Sequence, residues 1–253
     1  MQLLHTWETE TNRYHAYVTT RTNGHNSGNV GLHVGDDIDG VIQNRQWFFR
    51  QANLSLEDSV WADQVHGITV QSVDSADKGK GAFRYDEAIS QTDGLITKEE
   101  ALPLALVFAD CVPLFFCAKD NGVIGVAHAG WKGTVGNIVT SMIQAFEDQG
   151  IDATEVDMLV GPAIAGNEYE VDRRVLDAVQ SVSPTAYQKA VRQESGDHAL
   201  LSLQAVNEVL ANEHDASVMQ SNLSTGASTP FFSYRDGETK RRFAAVIVKE
   251  RKL

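Results

Sequence analysis

Cysteine is scarce in this sequence of 253 residues, which contains only Cys111 and Cys117. Two cysteines cannot build the disulfide framework of a small secreted domain, so that class of protein is excluded. Proline is also scarce, and its five residues are scattered instead of forming a linker. A chain of this length can close around one core, and we therefore expect a single domain over residues 1–253.

The sequence also has fewer basic residues than acidic ones. Lys and Arg number 21 against 34 Asp and Glu, which gives a formal net charge of −13. A chain this acidic is not expected to bind a nucleic acid polymer or an anionic membrane surface through bulk charge. A local basic pocket for a single phosphate group is still compatible with this composition.

The sequence has no long apolar run of the kind that spans a membrane. Its most apolar stretch, 101–118, carries Asp110 and two prolines, which predicts buried strands. The first residues have neither the basic nor the apolar region of a signal peptide. We therefore expect a cytoplasmic protein.

Strand and helix patterns are mixed along the chain. Residues 102–109 and 114–118 are nearly continuous apolar runs, typical of strands buried on both faces. Apolar residues from Val135 to Phe146 recur at helical spacing, with Thr134 as the expected N-cap and Gly150 as the expected C-cap. Because strands and helices do not alternate strictly, the pattern favours an α+β sandwich.

Polar residues interrupt apolar or glycine-rich surroundings at three predicted strand ends, and these residues include His66, Cys111 and His128. Two imidazoles and a thiolate suit a zinc ion and leave a fourth position for water. Their spacing matches no compact metal motif, so two other interpretations stay open. The three can be a buried cysteine with two hydrogen-bonded histidines, or Cys111 can be a nucleophile with His128 as its base.

Further candidates are single polar residues with an ordinary structural alternative. Lys132 precedes a predicted helix and could bind an anion, or it could be a solvated lysine. Asp93 could simply form a turn. Arg235 follows aromatic residues and could bind phosphate, or it could pair with a surface carboxylate. Cys117 lies in an apolar strand, and we expect it in the core.

Taken together, several segments resemble one known family. They run in family order over almost the whole chain: Trp61-Ala-Asp-Gln-Val-His-Gly67, Gln91-Thr-Asp-Gly-Leu-Ile-Thr97, Ala109-Asp-Cys-Val-Pro113, Gly125-Val-Ala-His-Ala-Gly-Trp-Lys-Gly133, Val160-Gly-Pro-Ala-Ile164 and Phe231-Phe-Ser-Tyr-Arg235. The family has been called laccase-like, polyphenol oxidase or peptidoglycan-editing-factor proteins. Its members are now regarded as purine nucleoside phosphorylase and adenosine deaminase enzymes.

The resemblance implies both a fold and an activity. The implied fold is an α/β/β/α-type sandwich similar to the catalytic domain of the cytotoxic necrotizing factor deamidases. The implied activity is phosphorolysis of adenosine, inosine, guanosine and methylthioadenosine, together with deamination of adenosine. Small purine nucleosides and phosphate are therefore the expected partners. The implied cofactor is Zn²⁺ held by His66, Cys111 and His128, a site that could also take Cu²⁺.

We also expect roles for residues around the metal ligands that this activity would need. Cys111, Asp110 and Asp93 are the expected catalytic residues, with the two aspartates as proton carriers or as groups that orient the ligands. The expected phosphate or substrate anchors are Arg21, Lys132 and Arg235. Three alternatives stay open: a copper-dependent polyphenol oxidase, a Cys-His hydrolase acting on peptidoglycan precursors, and a non-enzymatic nucleoside-binding protein.

Overall fold

The computed structural model describes residues 1–252 and contains both strands and helices. The strands are β1 (Gln2–Glu8), β2 (Asn12–Val18), β3 (Val60–Trp61), β4 (Val70–Ser72), β5 (Gly94–Thr97), β6 (Leu104–Phe108), β7 (Val112–Ala118), β8 (Val123–Ala129), β9 (Asp157–Val160), β10 (Glu170–Asp172), β11 (Val191–Ser195), β12 (His198–Leu201), β13 (Ser217–Gln220) and β14 (Phe243–Arg251). The helices are α1 (Ile38–Gln51), α2 (Trp131–Val135), α3 (Ile138–Glu147), α4 (Arg173–Val182), α5 (Pro184–Ala190) and α6 (Leu203–Asn212).

Two large sheets form the centre of the molecule. One has the strand order β1-β2-β14-β6-β3 and the other the order β13-β9-β7-β8-β5-β4. The strands β10, β12 and β11 form a small separate sheet. An apolar core built from both large sheets lies between them, with Leu106 and Ile247 from one sheet and Phe115 and Val126 from the other.

Strand β7 shows how the sequence produces these layers. Successive side chains on a strand point to opposite faces. Phe115 and Cys117 accordingly pack between the two sheets, while Leu114 and Phe116 pack against the helical layer. The continuous apolar run thus corresponds to a strand buried on both faces, and the prediction that Cys117 lies in the core is confirmed.

Helices cover the two outer faces. Phe48 and Phe49 of α1 pack on the outer face of the first sheet. Helices α3, α4, α5 and α6 contribute to the core on the outer face of the second sheet. The expected α+β fold with an α/β/β/α layer order is confirmed. In the described residues no helix combines the length and the apolar character that a membrane crossing requires.

The helix predicted between Thr134 and Gly150 is divided in two, so the predicted N-cap at Thr134 is wrong. Gly150 does close the C-terminal end as predicted: its backbone is left-handed (φ 80°), its N–H donates to the carbonyl of Glu147, and the N–H of Ile151 donates to the carbonyl of Phe146. Helix α2 ends at Val135, and α3 begins after Asn137, whose left-handed backbone (φ 66°) breaks the helical path. The Asn137 side chain accepts a hydrogen bond from the backbone N–H of Thr140 and is the true N-cap. The Thr134 hydroxyl instead accepts a hydrogen bond from Asn207 of α6.

Candidate active site and metal centre

The pairing of the strands brings distant segments together at one end of the two sheets. Cys111 lies in the short connection from β6 to β7, which passes from the first sheet to the second. Strand β7 pairs antiparallel with β8 in a register that places Pro113 opposite His128. His66 arrives from the loop between β3 and β4. The fold therefore juxtaposes three residues that are far apart in sequence.

His66, Cys111 and His128 offer ligand atoms that lie within 4.8 Å of one another. The two imidazole rings have centroids 4.7 Å apart. His128 is buried, Cys111 is half-buried and His66 is exposed. Two imidazoles and one thiol that are open on one side are a donor set that suits a metal ion with one free position. The cluster therefore fits the expected metal site.

The carboxylate of Asp93 holds both histidines of the cluster, His66 and His128, in place. Asp93 is buried, and one of its oxygens accepts hydrogen bonds from Nδ1 of His128 (2.8 Å) and from the backbone N–H of His66 (3.0 Å). Its other oxygen accepts from the backbone N–H groups of Val65 and Gly67. Since Nδ1 of His128 is engaged, its Nε2 is the nitrogen left to bind a ligand.

The electrostatics of the cluster favour a thiolate. Burial alone would raise the pKa of the Cys111 thiol, but His128 and His66 outweigh it and lower that pKa to about 6. Burial likewise opposes protonation of His128, yet Cys111 and Asp93 raise the pKa of this imidazole. Hydrogen bonds from His128 and the backbone outweigh burial at Asp93 and keep its pKa below the usual value. Thiolate is the form of cysteine that binds metals.

Gly130 leaves the space in which two of the ligands meet. A Cβ placed on Gly130 would lie 2.9 Å from Nδ1 of His66 and 3.0 Å from Sγ of Cys111. We therefore expect Gly130→Ala to push these atoms apart and to lower metal affinity by about 10-fold or more, as loss of supporting contacts around a metal does. Competition with a chromogenic chelator measures the affinity. Unchanged affinity would show that the ligands do not close around an ion here.

Asp110 ties a distant loop to the metal ligands. It adopts a left-handed backbone (φ 81°), unusual for a residue other than glycine. Its carboxylate accepts hydrogen bonds from the hydroxyls of Thr225 (2.6 Å) and Ser233 (3.2 Å) and from the backbone N–H of Arg235 (2.8 Å). These contacts bring residues 225–235 to the residue that precedes Cys111.

Two adjacent cavities lie at the cluster, and both are lined by His66, Asp110, Cys111, Ile164 and Tyr169. The large lobe has a volume of about 470 Å³ and is also lined by His33, Gln64, Val107, Ala109, His128, Tyr234, Arg235 and Arg242. The small lobe has a volume of about 270 Å³ and is also lined by Trp131, Lys132 and Leu203. Together they are large enough for a small-molecule substrate.

The expected phosphate anchors separate into two groups. Arg235 lines the large lobe, where its guanidinium lies 5.1 Å from the centre of the Tyr169 ring. Lys132 lines the small lobe. Arg21 lines neither lobe, because it binds both carboxylate oxygens of Glu238 and three backbone carbonyls. The geometry favours a structural role for Arg21 over the expected phosphate role.

We expect Glu238→Gln to reduce the free energy of unfolding by about 2–3 kcal/mol at pH 7, because it leaves a partly buried arginine without its counter-charge. Burial opposes ionisation of Glu238, but hydrogen bonds from Arg21, Ser233 and Arg241 outweigh it and lower its pKa to about 2. A depressed pKa in the folded state stabilises the protein above the unfolded value of 4.5. The difference between wild type and variant should therefore shrink as the pH falls from 4.5 towards 2.

Urea denaturation at pH 7 and at acidic pH measures this difference. Glu147→Gln, which removes the same charge from an exposed position on α3, is the control and should change stability little. A Glu238→Gln variant as stable as wild type at pH 7 would contradict the structural role of this ion pair.

The sequence interpretation gave no individual role to five polar residues of the large lobe: His33, Gln64, Tyr169, Tyr234 and Arg242. Burial, with Arg242 and Arg45 adding to it, lowers the pKa of His33 to about 4, so this imidazole is neutral at pH 7. Gln64 exchanges two hydrogen bonds with the backbone of Val107. Arg242 belongs to a basic run before the last strand, a pattern more typical of solvated charges.

Comparisons with known proteins identify the family of this chain. A family model described as multi-copper polyphenol oxidoreductase laccase matches residues 15–250. "Purine nucleoside phosphorylase YlmD" of Bacillus subtilis (strain 168) is 38% identical over 229 residues, which are 88% of this chain and 82% of that protein. "Adenosine deaminase RL5", from an unknown prokaryotic organism, is 28% identical over 229 residues, which are 87% of each chain.

A solved structure gives the same result for the fold. The crystal structure of YlmD from Geobacillus stearothermophilus superimposes with a TM-score of 0.90 at 32% identity, and the match covers 98% of this chain and all of that one (100%).

Proposed function

This chain belongs to the family described as multi-copper polyphenol oxidoreductase laccase, and from that membership we propose that it is a zinc-dependent purine nucleoside phosphorylase that also deaminates adenosine. The proposed substrates of phosphorolysis are adenosine, inosine, guanosine and methylthioadenosine. One observation carries the proposal: two lobes that can hold separate small reactants meet at the cluster of His66, Cys111 and His128. The names of the relatives support the same activity.

Metal binding would use the two histidines and Cys111, whose thiolate is already favoured. When bound, zinc supplies Lewis-acid polarisation and lowers the pKa of a coordinated water. Asp93 fixes the tautomer of His128 and the position of the His66 loop. Both Asp93 oxygens are occupied by donors, so the geometry favours an orienting role over proton transfer for this carboxylate.

The two reactions place different demands on the lobes. In phosphorolysis a phosphate oxygen bonds to ribose C1′ while the bond to the purine breaks, and the departing base takes its electron pair and a proton. In deamination, water adds to C6 of adenosine and ammonia leaves, which yields inosine. Phosphorolysis therefore needs positive charge near the substrate, which Arg235 and Lys132 can supply from the two lobes. Asp110 holds the backbone of Arg235 in place.

A copper oxidase is less well supported. Multicopper chemistry needs several clustered metal centres. Within residues 1–252, His66, Cys111 and His128 are the one group of histidine, cysteine and acidic side chains with ligand atoms this close together. Cu²⁺ bound at that site by its high affinity is compatible with this arrangement.

A cysteine hydrolase is the second candidate, because Cys111 lies beside His128 and its thiolate is favoured. Such an enzyme would need no metal, whereas the proposed phosphorylase would.

The experiment removes metal with a chelator, restores Zn²⁺, and measures the products from adenosine, inosine and methylthioadenosine with and without phosphate. We expect phosphate-dependent release of free base and phosphate-independent conversion of adenosine to inosine, both lost without metal. Full activity of metal-free protein, abolished by alkylation of Cys111, would favour the hydrolase.

A further inference from the structure

We propose that Arg242 binds the phosphate consumed in phosphorolysis, and that the loop between β2 and α1 holds the Arg242 side chain in the large lobe. This inference rests on the proposed function and adds to it a binding residue that the sequence patterns did not indicate. Arg242 precedes β14 and lines the same lobe as Cys111 and His128.

The guanidinium of Arg242 has unused hydrogen-bond donors. Its Nη1 donates to the backbone carbonyls of Thr239 (3.1 Å) and Arg241 (2.8 Å). Its Nε and Nη2 donate to no residue within 1–252, and no carboxylate there forms an ion pair with it. Arg242 is half-buried, and burial lowers its pKa, which records the cost of holding this charge away from water. A bound anion would offset that cost.

Three other arginines, Arg21, Arg45 and Arg241, already have partners, while Arg235 is an exposed arginine of the same lobe. Arg45 is buried and donates to three backbone carbonyls. Arg21 and Arg241 share Glu238. In a chain with 34 acidic residues and 21 basic ones, Arg242 combines partial burial, no carboxylate partner and no acceptor for Nε and Nη2 within residues 1–252. Because acidic residues outnumber basic ones, the absence of a carboxylate partner for Arg242 is more informative.

The loop between β2 and α1 forms a bracket around Arg242. The side-chain oxygen of Asn29 accepts hydrogen bonds from the backbone N–H groups of Arg242 (2.8 Å) and Gly31 (3.0 Å). The N–H of Val30 donates to the carbonyl of Arg242 (3.0 Å). A Cβ on Gly31 would lie 2.9 Å from Cγ of Arg242 and 3.1 Å from its Cβ. Gly31 is therefore the residue that lets the arginine stem pass into the lobe.

Phosphate fits these donors better than a nucleoside does. The free Nε and Nη2 lie on one edge of the planar guanidinium, an arrangement that binds two oxygens of a phosphate at once. Purine nucleosides carry no charge at neutral pH, so they cannot offset the positive charge of Arg242 in this lobe. Arg242 would offset the negative charge of the phosphate while a phosphate oxygen bonds to ribose C1′. Arg242 itself would transfer no proton.

The test compares the two reactions in the same zinc-loaded preparations. Arg242→Gln should raise the KM for phosphate in inosine phosphorolysis by about 10- to 100-fold, the effect of losing hydrogen bonds to a charged group. Adenosine deamination without phosphate should change by no more than about twofold. Arg242→Lys should lie between wild type and Arg242→Gln, and Gly31→Ala should raise the same KM by displacing the stem. Arg251→Gln, an exposed position on β14, is the matched control and should leave both reactions unchanged.

An unchanged KM for phosphate in Arg242→Gln, or an equal loss of both reactions, would overturn the inference and leave the proposed function intact. If Arg242→Gln does not fold, Arg242→Lys and Gly31→Ala give the same comparison. If wild type shows no phosphorolysis, the proposed function fails, and calorimetric titration with inorganic phosphate decides the inference separately. The inference is supported if wild type binds phosphate and the Arg242 variants do not. It is overturned if wild type binds no phosphate, or if the variants bind phosphate as tightly as wild type.

Discussion

Replacing Cys111 with alanine is expected to abolish both proposed activities. The cluster would keep two imidazoles and lose its thiolate, the ligand whose ionised form the neighbouring histidines favour. Loss of a direct ligand should exceed the effect of losing a supporting residue, so metal affinity should fall by more than about 100-fold. Phosphorolysis and deamination should fall with it to less than about 1% of wild type. Elemental analysis of the purified protein and product assays measure the two effects.

Cys117→Ala is the matched control for this result. Cys117 is the other cysteine and is fully buried between the sheets, away from the lining of either lobe. Its replacement should cost about 1–2 kcal/mol of stability through the space it leaves, with the metal content unchanged. Retention of metal and of both activities in Cys111→Ala would contradict the proposed role of the thiolate.

Asp93→Asn is expected to have the second largest effect, because one side chain holds two ligand segments. The two carboxylate oxygens accept four hydrogen bonds, and asparagine offers one oxygen and an NH₂ group that cannot accept. Two of the four N–H donors would then face the NH₂ group of the asparagine instead of an acceptor. We expect metal affinity to fall by about 10- to 100-fold and stability by about 3 kcal/mol, since each unsatisfied buried group costs about 1–3 kcal/mol.

Chelator competition and urea denaturation measure these two losses. Asp58→Asn makes the same chemical change in a surface ion pair with Lys78, where both side chains are 40% exposed. That control should cost less than about 1 kcal/mol and leave metal binding unchanged. If Asp93→Asn bound metal as tightly as wild type, the His66 loop and His128 would have to be fixed by other contacts.

The apolar runs of the sequence predicted the central strands well, because burial on both faces leaves an unambiguous pattern. The break at Asn137 was not predicted, since the apolar spacing continues across it while the backbone does not. Strand β1 and the small sheet of β10, β12 and β11 were also missed. Their polar and exposed residues carry little periodic signal.

The candidate site was accessible from the sequence only in part. His66, Cys111 and His128 could be proposed because their residue types suit a metal, but their meeting depends on strand pairing. Arg21 and Arg242 show the limit of reading charges from sequence. Glu238 occupies Arg21, while Arg242 has no carboxylate partner within residues 1–252. Which arginine is available to a ligand is decided by tertiary contacts that no local pattern records.

Phosphorus NMR of the protein incubated with inosine and inorganic phosphate, with metal content measured on the same sample, tests the central claim most directly. A zinc-dependent phosphorylase predicts the appearance of ribose 1-phosphate in equal amount to the hypoxanthine released, in proportion to the metal bound. Hypoxanthine released without consumption of phosphate, or turnover that persists after the metal is removed, would contradict the account.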